Sequence, residues 1–314
     1  MQTGIDMAIT AKQVADLRAK TGIGMMECKK ALTEANGNEE EAIKILREKG
    51  LAVAAKKSTR IAAEGLVDIM VSEDGKTAAM IEVNIETDFA ANNAVFGAFV
   101  KDLLKIIIEK RPADVASLLA LPYDDVVTVE GAVKDKVFAI GENINIRRFT
   151  VVDGNVATYV HGKGQIGVIV NMKDSDVAGQ DGFKAAAKNV ALQIAAMSPA
   201  YLDRDSVPAE IIEAEKEVIM AQIKNDEANS KKPENIIEKM AMGKINKYYT
   251  QNCLLLQEYV KDEGVSVEKY LDSVAKELGG VVAVASFTKF EKGEGLEKRE
   301  DDFADEIAKL TGKA

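Results

Sequence analysis

The sequence has 314 residues and a formal net charge of −10. This acidic balance argues against a protein that binds directly to nucleic acid along its backbone, and it favours a protein partner. The composition, 47% hydrophobic and 29% charged, is that of an ordinary globular protein, and no apolar run approaches the roughly 18 residues of a membrane span. The N-terminus lacks a basic segment followed by an apolar one, and the two cysteines, Cys28 and Cys253, are far apart. These features predict a cytoplasmic protein without membrane contact.

Residues 7–60 have the pattern of a small helical domain followed by a linker. Thr10 and Gln13 form a capping box at the start of a first helix, and Gly22 provides its stop. Two further helices follow, and the third is predicted to stop at Gly50. A unit of about forty residues in three short helices is marginally stable by itself. We therefore interpret it as a three-helix docking domain.

Residues 61–150 read as the first part of an α+β core. Apolar residues alternate with polar ones in two segments separated by Asp74-Gly75, which predicts a β-hairpin. The apolar period then changes to that of a helix, with a stripe at positions 96, 99, 100, 103, 104 and 107. Residues 141–149 read as a compact turn into a short strand, which ends this part of the core.

The turn Thr87-Asp88-Phe89-Ala90 lies where the second strand gives way to that helix. Two interpretations are open at this point. Asp88 can cap the helix while Phe89 packs onto its first turn as a hydrophobic staple. Alternatively, the turn presents the Phe89 ring to a partner, because a rigid scaffold with its own apolar stripes does not need this ring in its core.

An internal repeat supports the α+β class. Residues 80–84 match residues 167–171 at an offset of 87, and the helical stripe recurs at the same offset as positions 183, 186, 187, 190, 191 and 194. Each copy reads strand, strand, helix, which predicts a core of two related subdomains. The second copy has Asp174-Ser175-Asp176 near the place of the acid-aromatic turn.

The remaining pattern divides the second half of the chain. Residues 151–206 and 261–290 are predicted to form the second core subdomain, including a helix over residues 267–278 and a strand over residues 281–290. Residues 207–260 are predicted to form an inserted antiparallel helical hairpin, with the apolar seam running along positions 211, 214, 218 and 221 of one helix and 237, 241, 245 and 248 of the other. Residues 291–314 read as a C-terminal module with an amphipathic helix. Residues 1–6 lack periodicity and suggest an upstream start or a remnant of cloning.

The inventory for catalysis is poor. One histidine, His161, and two distant cysteines do not form a zinc site or a Cys-His pair by any local spacing. No phosphate-binding loop motif is present. We therefore expect neither an enzyme nor a metal or cofactor. Of the neighbours Met25 and Met26, one is a candidate for an adaptable contact surface, because adjacent helical residues face different directions.

Several segments in order resemble one family. LRAKTGIGMMECKKAL at residues 17–32, EVNIETDF at residues 82–89, GENINIRR at residues 141–148 and the glycine-rich stretch after His161 are similar to landmarks of bacterial translation elongation factor Ts. FEKGEG at residues 290–295 resembles its C-terminal landmark. The resemblance implies an N-terminal ubiquitin-associated-like domain, a two-subdomain core, a dimerisation hairpin and a C-terminal helical module.

The resemblance also implies a function: guanine nucleotide exchange on elongation factor Tu. Such a factor binds the GDP form, disturbs its magnesium and phosphate region, releases GDP and is displaced when GTP and aminoacyl-tRNA arrive. By resemblance, the residues Thr87, Asp88, Phe89 and Ala90 insert near the magnesium site. Arg18, Met25, Met26 and His161 then contribute docking contacts. Possible homodimers would form through the hairpin.

The sequence departs from the family pattern in two places, and two other classes of function stay open. Ala90 stands where valine is common, and Gln257-Glu258-Tyr259-Val260 stands where Gln-Pro-Phe-Val is common. The runner-up function is a non-catalytic scaffold whose three-helix unit binds another protein. An enzyme built on the repeated core is a distant third, and it would require a clustered polar pocket.

Overall fold

The computed structural model describes residues 9–226, 229 and 232–297. Its N-terminal helices are α1 (Ala11–Thr21), α2 (Met25–Glu34) and α3 (Glu39–Lys57). The predicted capping box is confirmed, since Thr10 and Gln13 bond to each other's backbone amides, and Gly22 ends α1 with a left-handed φ of 70°. Leu17, Leu32 and Leu46 are buried at the centre of the three helices.

The predicted stop of α3 at Gly50 is wrong, because the helix continues to Lys57. Gly50 faces α7 (Val129–Ile140), and a Cβ built on it would lie 3.5 Å from the Cβ of Phe138. The glycine therefore permits close packing between two helices instead of ending one. This contact joins the N-terminal helices to the core.

The first core subdomain is a three-stranded antiparallel sheet in the order β1-β2-β3. Its strands are β1 (Glu64–Val71), β2 (Thr77–Ile85) and β3 (Ile144–Asp153). Its helices are α4 (Asp88–Ala91), α5 (Ala94–Lys110), α6 (Val115–Ala120) and α7. One face of β2 packs on the predicted apolar stripe of α5, whose six members are all buried. The strand after Gly141 was predicted to be short, but β3 has ten residues because it pairs with the whole of β2.

The second subdomain repeats this arrangement. Its sheet has the order β4-β5-β6, with β4 (Asn155–His161), β5 (Ile166–Met172) and β6 (Val284–Glu291). Its helices are α8 (Asp181–Met197) and α11 (Val267–Leu278). The described residues thus contain eleven α-helices and two antiparallel sheets, which confirms the α+β class.

The two sheets pack against each other through the faces that their helices leave open. The amide of Val67 on β1 donates to the carbonyl of Gly164 at 2.7 Å. A Cβ at Gly167 would lie 2.5 Å from Val67 Cγ1 and 2.7 Å from Met80 Sδ, so glycine is needed for this approach. A small apolar cluster fills the space between the sheets; its buried members are Val67, Ala78, Met80, Ile169 and Phe290.

A helical hairpin interrupts the second subdomain, and it is formed by α9 (Ala209–Asn225) and α10 (Glu234–Asn252). On α10 the predicted seam positions Ile237 and Ala241 are buried. On α9 the predicted stripe is wrong: positions 211, 214, 218 and 221 are exposed, and Ile219 and Ile223 are buried instead.

The C-terminal end of the hairpin region differs from what the pattern predicts. The pattern assigns residues 253–260 to the hairpin, but Leu254 and Tyr259 are buried in the core of the second subdomain.

The predictions for residues 1–6 and for the C-terminal helix lie outside the described residues. Of the predicted C-terminal module, the structure describes the segment 291–297. That segment docks on the first subdomain, since a Cβ at Gly293 would lie 2.4 Å from the carbonyl oxygen of Ala63.

Candidate functional site

The turn between β2 and α5 folds as a single helical turn, α4. Thr87 caps it, with its Oγ1 accepting from the amide of Ala90 at 3.2 Å. Asp88 is the first helical residue and is exposed, so the capping role that the sequence allowed for Asp88 belongs to Thr87. The side chain of Asn92 closes the turn by donating to the carbonyl of Asp88 at 2.8 Å.

The Phe89 side chain points into solvent from this turn. It is 87% exposed, the highest exposure of any large hydrophobic residue that the structure describes. The staple interpretation is therefore wrong, because a stapled ring would be covered by the helix that follows. Ala90, by contrast, is 5% exposed and belongs to the core beneath the turn. The exposed part of the predicted contact thus consists of Asp88 and Phe89.

The loop at residues 141–143 lies 55 residues further along the chain and is hydrogen-bonded to the turn. The Glu142 carboxylate accepts from the Thr87 amide at 3.0 Å and from the Thr87 hydroxyl at 2.7 Å. In return, the amide of Asn143 donates to the carboxylate of Glu86 at 2.7 Å. Sequence reasoning identified a turn at Gly141 but missed this contact. The only signal in the sequence was that both segments belong to landmark motifs of the same family.

A buried charge lies on the face of β2 that points toward the second sheet. The Glu82 carboxylate is fully buried and accepts from Arg147 at 2.9 Å, from Arg148 at 2.7 Å and from the Gly293 amide at 2.8 Å. Burial by itself would raise the pKa of Glu82, but the hydrogen bonds from Gly293, Arg147, Asn84 and Arg148 outweigh it, so the pKa is lowered. This cluster ties the segment after β6 to the first subdomain.

His161 ends β4 and is exposed at the start of a glycine-rich loop. Its Nδ1 lies 2.9 Å from the Tyr159 hydroxyl. The loop has left-handed backbone at Gly162, Lys163 and Gly164. A polar groove brings this loop and the Phe89 turn together, and its lining includes Asp88, Asn92, Gly162, Lys163, Gln165 and Lys292.

The other predicted docking residues lie on the N-terminal helices, a different unit of the chain. Arg18 is exposed on α1. Met25 is 54% and Met26 66% exposed at the start of α2. Both methionines are thus available for contact, because both belong to the open first turn of the helix. Met26 also lines a shallow pocket with Lys29, Lys30, Thr33 and Glu34.

Other kinds of site find little support in the described part of the chain. There, no three or more His, Cys, Asp or Glu side chains are grouped so that they could hold a metal ion. Both cysteines are buried. None of the described helices combines the length and apolar character that crossing a membrane requires.

Comparison with known proteins agrees with the landmarks quoted above. A family model described as Elongation factor TS matches residues 86–294, which begins at the turn. An elongation factor Ts of Clostridium kluyveri is 47% identical over 97% of this chain and 100% of its own length. One of Syntrophotalea carbinolica is 48% identical over the same shares, and one of Clostridium botulinum 46%. The chain belongs to the elongation factor Ts family, whose members are translation factors.

Proposed function

We propose that this protein is a guanine nucleotide exchange factor for elongation factor Tu. It binds the GDP-bound and the nucleotide-free forms and promotes GDP release by inserting the Asp88-Phe89 turn near the magnesium and phosphate site. The observation that carries the proposal is the 87% exposure of Phe89 on a turn that is hydrogen-bonded from below. An exposed ring on an ordered turn costs little to dock, because the turn does not have to be ordered on binding.

The energetic requirement is differential affinity. A partner lowers nucleotide affinity only by binding the nucleotide-free state more tightly than the nucleotide-bound state. An aromatic ring that enters a space closed in the GDP form provides such a difference, since its burial is favourable only in the open state. Asp88 beside it adds a negative charge, which disfavours a bound phosphate nearby.

Further contacts come from the N-terminal helices and from the loop after β4. Arg18, Met25 and Met26 offer one exposed docking surface, and methionine adapts to irregular partner surfaces. The loop that follows His161 borders the groove that also contains Asp88, so it can touch the same partner as the turn, and the exposed His161 adds to this surface. Ala90 contributes to the turn indirectly, because it is part of the hydrophobic core beneath Phe89.

The exchange role needs no covalent chemistry from this chain, and we infer that it acts without being an enzyme and without a cofactor. Its action in translation elongation puts it in the cytoplasm, away from membranes. Its net charge of −10 favours a protein partner over direct nucleic-acid binding.

We also infer a homodimer that forms through the hairpin. The exposed stripe on α9 supports this proposal, because Ile211 is 38% and Val218 51% exposed on one helical face with Ala214 and Ala221. A second copy of the hairpin would cover such a stripe symmetrically.

The scaffold alternative uses the same docking surface on α1 and α2, and the exposed Met25 and Met26 serve it equally well. One experiment separates the two functions: mix the protein with elongation factor Tu that carries labelled GDP, in excess unlabelled GDP, and time the release. An exchange factor accelerates release with a saturable dependence on its concentration. A scaffold that binds elongation factor Tu without changing the release rate would contradict the proposal.

A further inference from the structure

We propose that the loop Gly141-Glu142-Asn143 is a positioning element for the exchange turn and that it joins the turn to helix α3. The three-helix docking domain and the Phe89 turn would then be held in one fixed relation, although they lie in different parts of the chain. This inference rests on the proposed function and adds to it the residues that set the geometry of exchange.

On one side the loop holds the turn. Glu142 is half-buried, and its two carboxylate oxygens accept separately from the amide and the hydroxyl of Thr87. Because Thr87 is the N-cap residue of α4, these bonds fix the direction in which Phe89, two residues later, leaves the surface. The Glu86 side chain, which is only 8% exposed, accepts from the Asn143 amide and so fixes the turn a second time.

On the other side the loop holds the end of the docking domain. The Asn143 side chain donates to the carbonyl of Arg60 at 2.8 Å, just after α3. Lys57, the last residue of α3, donates to the carbonyl of Gly141. Helix α7 reaches the loop from the contact between Gly50 and Phe138. The loop therefore directly follows α7, and α7 packs against α3 of the docking domain.

The two sides can be separated by substitution. Glu142→Ala removes only the bonds to Thr87. Asn143→Ala removes only the side-chain bonds to the carbonyls of Arg60 and Ser58, because the Asn143 amide still reaches Glu86. Glu142→Gln is the conservative variant: its carbonyl can accept from the Thr87 amide while its NH₂ group donates to the Thr87 hydroxyl oxygen.

A positioning residue should change the maximum rate more than the concentration dependence. In the labelled-GDP assay we expect Glu142→Ala to lower the maximum release rate about tenfold, equivalent to about 1.4 kcal/mol of barrier. Asn143→Ala should lower it about threefold, and Glu142→Gln less than about threefold, with the half-saturating concentration within about twofold for all three. Glu130→Ala on α7, which loses an exposed ion pair with Lys134, is the matched control and should change neither quantity.

A double-mutant cycle with Phe89→Ala decides whether the loop acts through the turn. In the Phe89→Ala background, Glu142→Ala and Asn143→Ala should each lower the rate by less than about twofold, because the group that they position is gone. Equal losses in both backgrounds would overturn the proposal, and so would a change confined to the half-saturating concentration. If Phe89→Ala alone left exchange intact, the proposed function would fail instead. Circular dichroism at the assay temperature confirms folding, and the Glu142→Gln and Asn143→Ala variants carry the test if Glu142→Ala does not fold.

Discussion

The two core subdomains share a frame, meaning the antiparallel sheet and the long helix packed on it. They differ at the tip, meaning the turn between the central strand and that helix. Helix α5 (Ala94–Lys110) and helix α8 (Asp181–Met197) are displaced by 87 residues at both ends. Each ends at a left-handed residue with φ of 46°, Arg111 in the first and Ser198 in the second. The likeness thus extends from the apolar stripe to the backbone that terminates the helix.

The strands repeat a less obvious detail. The Asn84 side chain donates to the carbonyl of Glu64, and the Asn171 side chain donates to that of Asp153, both at 3.1 Å. Each acceptor precedes a glycine with positive φ, 130° at Gly65 and 132° at Gly154, where a Cβ would meet the asparagine or its strand. An asparagine on the central strand therefore holds the start of β1 in the first half and the junction between β3 and β4 in the second.

The two halves differ in their tips and in their inner faces, which are the sheet faces that point toward each other. At the position equivalent to Phe89 the second half exposes Asp176, while Ala90 and its equivalent Val177 are both buried. On the inner face, the buried Glu82 of the first half corresponds to the buried Ile169 of the second. One frame thus supports an exposed phenylalanine at the tip of one half and an exposed aspartate at the tip of the other.

The largest expected effect tests the shared frame. Phe96 and Phe183 occupy equivalent places, and they are 0% and 3% exposed. Phe96→Ala and Phe183→Ala should each lower the free energy of unfolding by about 3–5 kcal/mol, the usual cost of removing a buried phenylalanine. Urea unfolding measures both variants. A cost of less than about 1 kcal/mol for either one would mean that the two halves do not share a core design.

The next effect tests the difference between the tips. Phe89→Ala should slow GDP release from elongation factor Tu at least tenfold, about 1.4 kcal/mol of barrier or more. The melting temperature should stay nearly constant, because the ring is already in solvent. Asp88→Ala should show a smaller loss of rate. Asp176→Ala, the matched variant in the second half, should change neither rate nor stability.

The opposite result has a clear meaning. If Phe89→Ala lowered the melting temperature by several degrees while exchange per folded molecule stayed intact, the ring would be structural. If Asp176→Ala slowed release as much as Phe89→Ala, function would not depend on the first tip alone.

Features set by neighbouring residues could be predicted from the sequence. The capping box at Thr10, the stop at Gly22 and the apolar stripe of α5 depend on contacts within one or two helical turns. Helix α11 was predicted with the bounds that it has. The repeat was visible because its two copies keep the same apolar spacing, and the exposure of Phe89 agrees with one of the two interpretations of the turn.

Features set by distant contacts could not be predicted. Gly50 reads locally as a helix stop, and only its contact with Phe138 explains why α3 continues. The bonds between Thr87 and Glu142 join residues 55 positions apart. Likewise, α9 has two apolar stripes, and the position of α10 decides which of them is buried. Helices α6 and α7 lie in a stretch for which no element was predicted.

A third prediction separates docking from exchange. Met26→Asp should raise the half-saturating concentration about tenfold while leaving the maximum release rate unchanged, since interface anchors typically cost on the order of 1–4 kcal/mol. Arg18→Glu should produce part of the same effect. These point variants are sharper than removal of residues 7–49, which would cut α3 in its middle. Met242→Asp on the hairpin, with a similar exposure of 65%, is the control; an equal loss there would contradict the docking role.

A fourth prediction concerns pH and the inner faces. The pKa of Glu82 lies below its ordinary value of 4.5, because the hydrogen bonds that it accepts outweigh the effect of burial. Its contribution to stability is therefore present above pH 4.5 and is lost as the pH falls through the lowered pKa. Glu82→Gln removes this titration, so the gap in unfolding free energy between the natural protein and the variant should narrow as the pH falls from 6 to 3. Glu130→Gln, which changes an exposed carboxylate, is the control and should show only a small gap.

The smallest expected effect on exchange concerns the hairpin, an insertion that only the second half contains. Its exposed stripe on α9 lies on the face opposite to the buried Ile219 and Ile223, so polar substitutions there should not disturb the hairpin itself. Combining Ile211→Asp with Val218→Asp should convert the proposed dimer into monomers in sedimentation experiments, because the substitutions would place charges in a symmetric apolar contact. GDP release should stay within about twofold of the natural rate, since the hairpin lies outside the subdomain that carries the turn. Glu213→Ala and Glu217→Ala on the same helix serve as controls and should leave the oligomeric state unchanged. A double variant that sediments like the natural protein, or that is folded but cannot exchange nucleotide, would show that the hairpin has a different role.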